Sequence, residues 1–329
     1  MIYTSHHNHG FEKVLNLLKT HETEYLSGQD LSDVLKISRV AVWKHIKKIR
    51  TLGYKIESKQ KLGYRLVELA KKPFPWEVCQ GLETKWIGKR IYYFDTIDST
   101  QTFALEIASD KEDGTVIIAQ KQTKGRGRMK RRWISPEGGI WLSIIIKPKA
   151  DASLATIFPL AVSVALSRAI QDTLGVKPEL KWPNDLLING KKIAGILVDA
   201  SLTSNQIDYM VLGIGINFDV PVKSIEKKIK NTGNYSGVAS LTNTNTGDSI
   251  PLIQSFLSRL EESFESLTSN KKKILNQWSR RSSTIGNNIT VKTEEGKIRG
   301  KATKIDSDGA LILKSKNKTY RILAGDIIQ

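Results

Sequence analysis

Apolar residues recur at positions 11, 14, 15, 17 and 18 of the segment FEKVLNLLKT, the spacing of one helical face over 11–20. Ser27 with Asp30 three residues on forms a capping box, Asp replacing the usual Glu, and predicts a short helix ending at Leu35. Ser38 caps a third helix over 39–52, stopped by Gly53. Val40, Ile46 and Ile49 are assigned to its apolar face, and Arg39, Lys44, His45, Lys47 and Lys48 mostly to the others. Two short alternating runs, 54–57 and 63–67, joined by SKQKL, predict a basic β-hairpin. Helix, helix–turn–helix and hairpin is the winged helix-turn-helix order. Its third helix is expected in a DNA major groove, presenting Ser38, Arg39, Val42, Trp43 and Lys47, with Lys59 and Lys61 of the wing near phosphate. The plainer reading is a small helical bundle for protein contacts; the basic face and wing argue against it.

Beyond this module, KKPFP at 71–75 can continue neither strand nor helix and reads as a linker. Strands are expected at 90–95, 115–120, 140–146, 179–182, 185–189, 192–200 and 206–217, the last four as a meander. Helices are expected at 75–82, 100–108, 153–173 and 251–267. With no regular βαβα alternation, the central region is α+β. After a second break near 282–286, five short strands separated by turns such as Glu294-Glu295-Gly296 and Ser307-Asp308-Gly309 suggest a small SH3-like barrel. The expected domains are 1–70, 71–283 and 284–329.

Composition narrows the function classes. With 329 residues, 40% of them hydrophobic, the chain can bury two or three cores. No apolar run reaches the ~18 residues that a spanning helix needs. The first ten residues, MIYTSHHNHG, lack the basic-then-apolar pattern of a signal peptide, so a cytoplasmic protein with no membrane partner is expected. The single cysteine, Cys79, excludes an intramolecular disulfide and a multi-cysteine zinc site. His6, His7 and His9 read as a polar tail rather than a metal site, and no metal-ligating residues are assigned. The net charge is +18, of which +7 falls within 1–72. That excess suits polyanionic partners, or simply aids solubility.

Four segments carry candidate chemistry. In QTKGRGRMKRRW (122–133) two glycines allow close backbone approach to a ligand, and arginines supply forked cationic donors for phosphate or carboxylate. It completes neither a Walker loop nor a dinucleotide fingerprint, and a solvated basic loop or nucleic-acid contact stays open. KWPND (181–185) places an amide and a carboxylate at a sheet edge, followed by Lys192 and a glycine, Gly195, inside an apolar strand. An ordinary hairpin turn with exposed lysines fits equally. Asp98-Ser99-Thr100-Gln101 caps a helix whose N-terminus can also face a polar ligand. Gly213-Ile214-Gly215-Ile216-Asn217 ends a strand with two glycines, which alone can be a packing device.

Taken in order, DSTQ, QTKGRGR with Trp133 following, KWPND, Lys192 with GIL at 195–197, and GIGIN make the chain resemble the biotin–protein ligase family. LSGQDLSDVLKISRVAVWKHIKKIRTLGYKI with GYRL resembles the winged helix of bifunctional ligases that also repress biotin operons. The resemblance implies a class II synthetase-like mixed sheet with helices in the centre. It implies that biotin and Mg²⁺-ATP give biotinyl-5′-AMP, which passes biotin to a lysine of a biotin carboxyl carrier domain. It further implies an operator-DNA partner and a ligand-promoted homodimer. By motif, Ser99, Thr100 and Gln122 are expected at the ureido end of biotin, with Gln101 where many relatives have Asn. Arg126 and Arg128, with Gly127 between them, are expected to hold carboxylate and phosphate. Lys192 is expected to stabilise the phosphate charge, and these three cations are the catalytic candidates. Trp133 is expected to close over the adenine or the biotin chain, with Gly195 and Asn217 supporting the adenylate pocket. Asp185 is assigned to orienting the incoming lysine or a metal-bound water. Some relatives read GRGRRGR; Met129-Lys130 here replaces Arg-Gly, which predicts a stiffer loop. The alternatives are a non-catalytic biotin-sensing transcription factor and a lipoate–protein ligase.

Overall fold

The computed structural model describes residues 2–5, 10–148, 151, 155–229, 237–242, 247–316 and 318–328. His6, His7 and His9 lie outside the described residues. The N-terminal module contains helices α1 (Gly10–Thr20), α2 (Gly28–Leu35) and α3 (Arg39–Thr51), then the hairpin β2 (Lys55–Lys59) and β3 (Gly63–Glu68). The capping box at α2 is complete, Ser27 and Asp30 each accepting the other's backbone N–H. Ser38 caps α3 by accepting from Ala41 N.

The apolar face of α3 differs from its expected composition. Val42, Ile46 and Ile49 are buried, whereas Val40 is 63% exposed. Positions 42, 46 and 49 keep the i, i+4, i+7 spacing, and Val40 lies off that stripe.

An unanticipated strand, β1 (Ile2–Thr4), pairs antiparallel with β4 (Ile91–Phe94). Residues ahead of the winged helix thus belong to the central sheet. Tyr3 is buried there, edge-on to Phe74 and Trp76. Lys48 of α3 donates to its hydroxyl at 3.2 Å. The two modules also meet at buried Glu77 in α4 (Pro75–Cys79), which accepts from Lys19 at 2.7 Å and from Tyr54 Oη. Burial, then the Glu77 charge, pushes the Tyr54 phenol far up, so it stays a donor.

The central sheet has eight strands in the order β1-β4-β5-β6-β10-β9-β8-β7. After β4 come α5 (Thr100–Ile107), β5 (Val116–Ala119), β6 (Ile140–Ile146) and α6 (Phe158–Leu174). Then follow β7 (Glu179–Lys181), β8 (Asp185–Ile188), β9 (Lys191–Thr203) and β10 (Gln206–Ile216), the expected meander. Among the described strands β4 and β5 alone pair with each other in parallel, so the sheet is mixed. Helices α7 (Val222–Ile229) and α8 (Ile250–Arg281) complete this part. Helix α8 runs well past the expected end at Leu267, with Asn270 alone in a non-helical conformation (φ −153°, ψ 70°). Alternation along β6 splits two cores. Ile144 and Ile146 join the larger core with α6 and α8, and Ile145 joins Ala104 of α5 and Ala108 just after it on the opposite face.

The C-terminal module is a five-stranded antiparallel sheet of β11 (Asn288–Thr293), β12 (Gly296–Ile305), β13 (Leu311–Lys314), β14 (Thr319–Ile322) and β15 (Asp326–Ile328), ordered β14-β13-β12-β11-β15. The five strands fall where the turn residues predict. No described helix is long and apolar enough to cross a membrane.

Candidate active site

On the α5 face, strand register builds a floor with few side chains. Gly215 pairs with Trp141 on one side and Gly195 on the other, and Gly195 in turn pairs with Asp185. One row along, Gly213 lies between Ser143 and Leu197. Directly paired residues share a face, so Gly195, Gly213 and Gly215 open one patch. Above it lies a cavity of about 1000 Å³, walled by the 122–133 segment, KWPND residues and the C-terminal sheet.

Trp133 lies on this floor. A Cβ on Gly215 would stand 2.5 Å from its Nε1, and one on Gly195 3.0 Å from its Cζ3. Here glycine is required for close approach rather than for backbone freedom. Trp133 Nε1, buried against the floor, has no hydrogen-bond partner among the described residues. A Gly215→Ala variant is expected to displace the indole and raise the KM of the ligand held in this cavity at least about tenfold, the equivalent of ~1.4 kcal/mol. Steady-state exchange kinetics with tryptophan emission read this; unchanged KM and emission would refute the stacking role.

The polar end is a connected chain. Thr100 N and Oγ1 donate to Gln122 Oε1 at 2.8 and 3.1 Å, and Gln122 Nε2 donates to Ser135 Oγ at 2.8 Å. Ser143 Oγ has Thr100 Oγ1 (2.9 Å) and Gln101 Oε1 (3.0 Å) as acceptors. Gln101 Nε2 donates to Asp199 Oδ2 and Val211 O, both at 3.0 Å. Ser99 is buried, accepts from Thr102 N as a helix cap, and does not line the cavity. The expectation that it faces a ligand is thus not met here: its Oγ serves α5, and Thr100 takes the cavity side.

Lys192 and Arg128 have other partners, whereas Arg126 joins this polar chain through Asp199. Lys192 Nζ sits 2.6 Å from Asp185 Oδ1 and 5.0 Å from the Trp133 ring centre, both side chains largely buried. Arg126 pairs with Asp199 at 3.3 Å. Arg128 reaches Asn184 Oδ1 (3.0 Å), Gly325 O and Asp326 Oδ1 (3.5 Å), and Arg131 also pairs with Asp326. Gly127 lines the cavity between the two arginines. Met129 and Lys130 both lie in the left-handed region, φ 52° and 58°; relatives with glycine at the second position avoid that strain. Asn217 donates to Lys192 O at 3.3 Å and bonds Ile193 O through its N–H, fixing the start of β9. Among the expected residues, all but Ser99 line this one cavity. Ser135, Ser143 and Asp326 join them, with Asp199 holding Gln101 and Arg126 from outside the lining, and none of these four was assigned a role from the sequence. Ser143 and Asp326 are single polar residues in their strands and carry no motif that would have announced them.

On the DNA side, Arg39, Trp43, Lys44 and Lys47 are exposed along α3, with Lys47 Nζ 5.5 Å from the Trp43 ring. Lys59 and Lys61 are exposed on the wing, and Arg65 packs over Tyr25 at 4.8 Å. Val42, expected to face DNA, is fully buried and belongs to the core; Val40 takes the exposed place. Val42→Ala is therefore expected to cost about 2 kcal/mol of stability by lost burial. Lys47→Ala should instead weaken DNA binding and reduce its salt slope by about 1. Thermal melts beside DNA titrations at several salt concentrations separate the two, and a Val42→Ala variant of unchanged stability would contradict the core assignment.

Comparison with known proteins agrees with this geometry. Residues 93–217 match the biotin/lipoate A/B protein ligase family, 12–65 an HTH domain, and 284–328 the biotin protein ligase C-terminal domain. The chain is 34% identical to the bifunctional ligase/repressor BirA of Bacillus subtilis over 320 residues, covering 95% of this chain and 97% of that protein. It is 27% identical to BirA of Escherichia coli over 309 residues, with 92% of each chain covered. The biotin protein ligase of Aquifex aeolicus in complex with biotin and ATP superposes with a TM-score of 0.61 at 28% identity, over 72% of this chain and 97% of that one. A glycine-floored cavity ringed by cations, set between a helix-turn-helix module and the matching C-terminal domain, places the chain in the biotin protein ligase family, in its bifunctional ligase/repressor form.

Proposed function

We propose that this cavity makes biotinyl-5′-AMP from biotin and ATP in the cytoplasm and hands biotin to a lysine of a biotin carboxyl carrier domain. The convergence of Arg126, Arg128 and Lys192 on a cavity floored by Gly195, Gly213 and Gly215 carries this reading. Thr100, Gln122 and the network behind them offer donors and acceptors for the ureido group. The glycine floor and Trp133 take the apolar rings and chain. A biotin carboxylate oxygen attacks the α-phosphorus, the bond to the β-phosphate breaks, and pyrophosphate leaves. The neutral amine of the acceptor lysine then attacks the acyl carbon; the bond to the phosphate oxygen breaks, AMP leaves, and the amine loses a proton. No side-chain nucleophile is needed, and the chain contributes positioning and preorganised charge. Asp185 holds Lys192 in the first step and is assigned to orienting the incoming lysine in the second.

Magnesium enters this scheme with the nucleotide. No group of three or more His, Cys, Asp or Glu residues converges among the described residues, so the donor set suits an ion carried mainly on the ATP phosphates. There the ion supplies charge neutralisation at the phosphates. The test is biotin-dependent ATP–pyrophosphate exchange with lipoate as a parallel substrate. Exchange with biotin alone is expected; none with either acid, from folded protein, would leave a non-catalytic biotin sensor.

The winged helix is assigned to operator DNA, bound by a dimer that the adenylate promotes. Strand β8 pairs only with the 191–195 end of β9, leaving residues 197–203 with β10 on one side and no strand on the other among the described residues. Such an edge is a template for a second copy. Sedimentation is expected to give dimers with biotin and ATP present, and monomers under both conditions would overturn the dimer.

A further inference from the structure

The outward face of the C-terminal sheet is a ladder of cations. Alternation along β12 puts Lys297, Arg299 and Lys301 on one face, while Ala302 and Ile305 turn inward. Register sets Lys292 of β11 directly opposite Lys297, and Lys314 of β13 directly opposite Lys301. All five are exposed, and none forms an ion pair with a described residue; Glu294 and Glu295 in the adjoining turn pair with none of them. Like charges directly opposite each other destabilise a sheet, so this arrangement weakens the fold that carries it.

The ladder begins at the mouth of the active-site cavity. Lys292 pairs across the strands with Asp326, which lines that cavity and holds Arg128 and Arg131. An acceptor lysine must bring its amine to the acyl carbon inside, so the domain bearing it rests on the surfaces around this mouth. The C-terminal sheet presents uncompensated positive charge there.

We propose that this ladder is the docking surface for the acceptor domain, which meets it with an acidic face beside the target lysine. The inference rests on the ligase reading and deepens it by naming where the protein substrate sits and what charge it carries. Steering by such a field raises encounter rates about tenfold or more at low ionic strength.

The test compares Lys297→Gln, Arg299→Gln, Lys301→Gln combined with a charge-matched control on α8, Lys271→Gln, Lys272→Gln, Lys273→Gln. Biotin transfer to an isolated biotin carboxyl carrier domain is followed across ionic strength, alongside ATP–pyrophosphate exchange and capture of the adenylate by hydroxylamine. The β12 variant is expected to lose about tenfold in kcat/KM for the carrier domain at low salt. Its salt dependence should flatten, while exchange and hydroxylamine capture stay unchanged, and the α8 control should behave as the unaltered protein. Unchanged transfer in the β12 variant, or an equal loss in both variants, would overturn the proposal. Intact transfer with weakened, less salt-dependent operator binding would assign the face to nucleic acid and overturn it too. Absence of exchange in the unaltered protein would be a failure of the ligase reading instead. Docking is then read from fluorescence anisotropy of the labelled carrier domain with the same two variants.

Discussion

Glutamine in place of Lys192 is expected to slow biotin-dependent ATP–pyrophosphate exchange by about two to three orders of magnitude, the range for removing a preorganised charge from a developing transition state. Lys192 lies near the start of β9, where Asn217 bonds its carbonyl and Asp185 its ammonium, so the charge is aimed before any ligand arrives. Its side chain is 11% exposed, and a charge in such surroundings acts more strongly than in water. As the carboxylate attacks, negative charge grows on the α-phosphate oxygens, and a neutral amide cannot offset it. The loss should fall on kcat, with the KM for biotin little changed, because the Thr100–Gln122 network proposed for the ureido group is held by other partners. The variant also leaves Asp185 without its cation, so a drop in thermal stability accompanies the kinetic loss. Asp185→Asn keeps the ammonium but loosens its hold, so exchange should fall less than in Lys192→Gln at comparable destabilisation. Exchange within threefold of the unaltered protein in Lys192→Gln would remove Lys192 from the chemistry.

Much of this site was legible because its parts sit in short motifs. Glycines inside apolar strands announced Gly195, Gly213 and Gly215, and arginines between glycines announced the loop. That the three glycines share one floor was not legible, since only register decides which face a residue takes. Asp199 and Asp326 were missed for the same reason. Gln101 and Asp199 are separated by 98 positions, and Arg128 and Asp326 by 198. Asp326 is the lone polar residue of its strand, and Asp199 follows an apolar run with no motif around it. Strand β1 is three residues long, too short to display alternation, and its burial comes from aromatic residues of the linker and β4. On α3, Val42 rather than Val40 stands at i, i+4, i+7 with Ile46 and Ile49, so the spacing itself favoured the valine that is buried. Ser99 was read both as a cap and as a ligand contact, and local hydrogen bonding favours the cap.

Arg128→Gly is expected to let the adenylate escape before transfer, so that biotin appears on lysines of bystander proteins. The side chain ties the 122–133 segment to KWPND through Asn184 and to the C-terminal sheet through Gly325 O and Asp326. Glycine removes every one of these bonds and adds backbone freedom next to Met129 and Lys130, already held in the left-handed region. A hydrogen bond to a charged group contributes about 1.5–3 kcal/mol, which corresponds to roughly a ten- to hundredfold faster release. Arg126 and Lys192 remain, so adenylate formation should persist while retention fails. Asp326→Asn provides the contrast: it weakens the resting tether yet leaves the guanidinium free to hold phosphate, so retention should survive. Off-rates of labelled adenylate, with serum albumin as bystander acceptor, distinguish these outcomes. A release rate unchanged by Arg128→Gly, with labelling still confined to the carrier domain, would show that the segment stays closed by other contacts. Trp133 on its glycine floor would then be the first of those to remove.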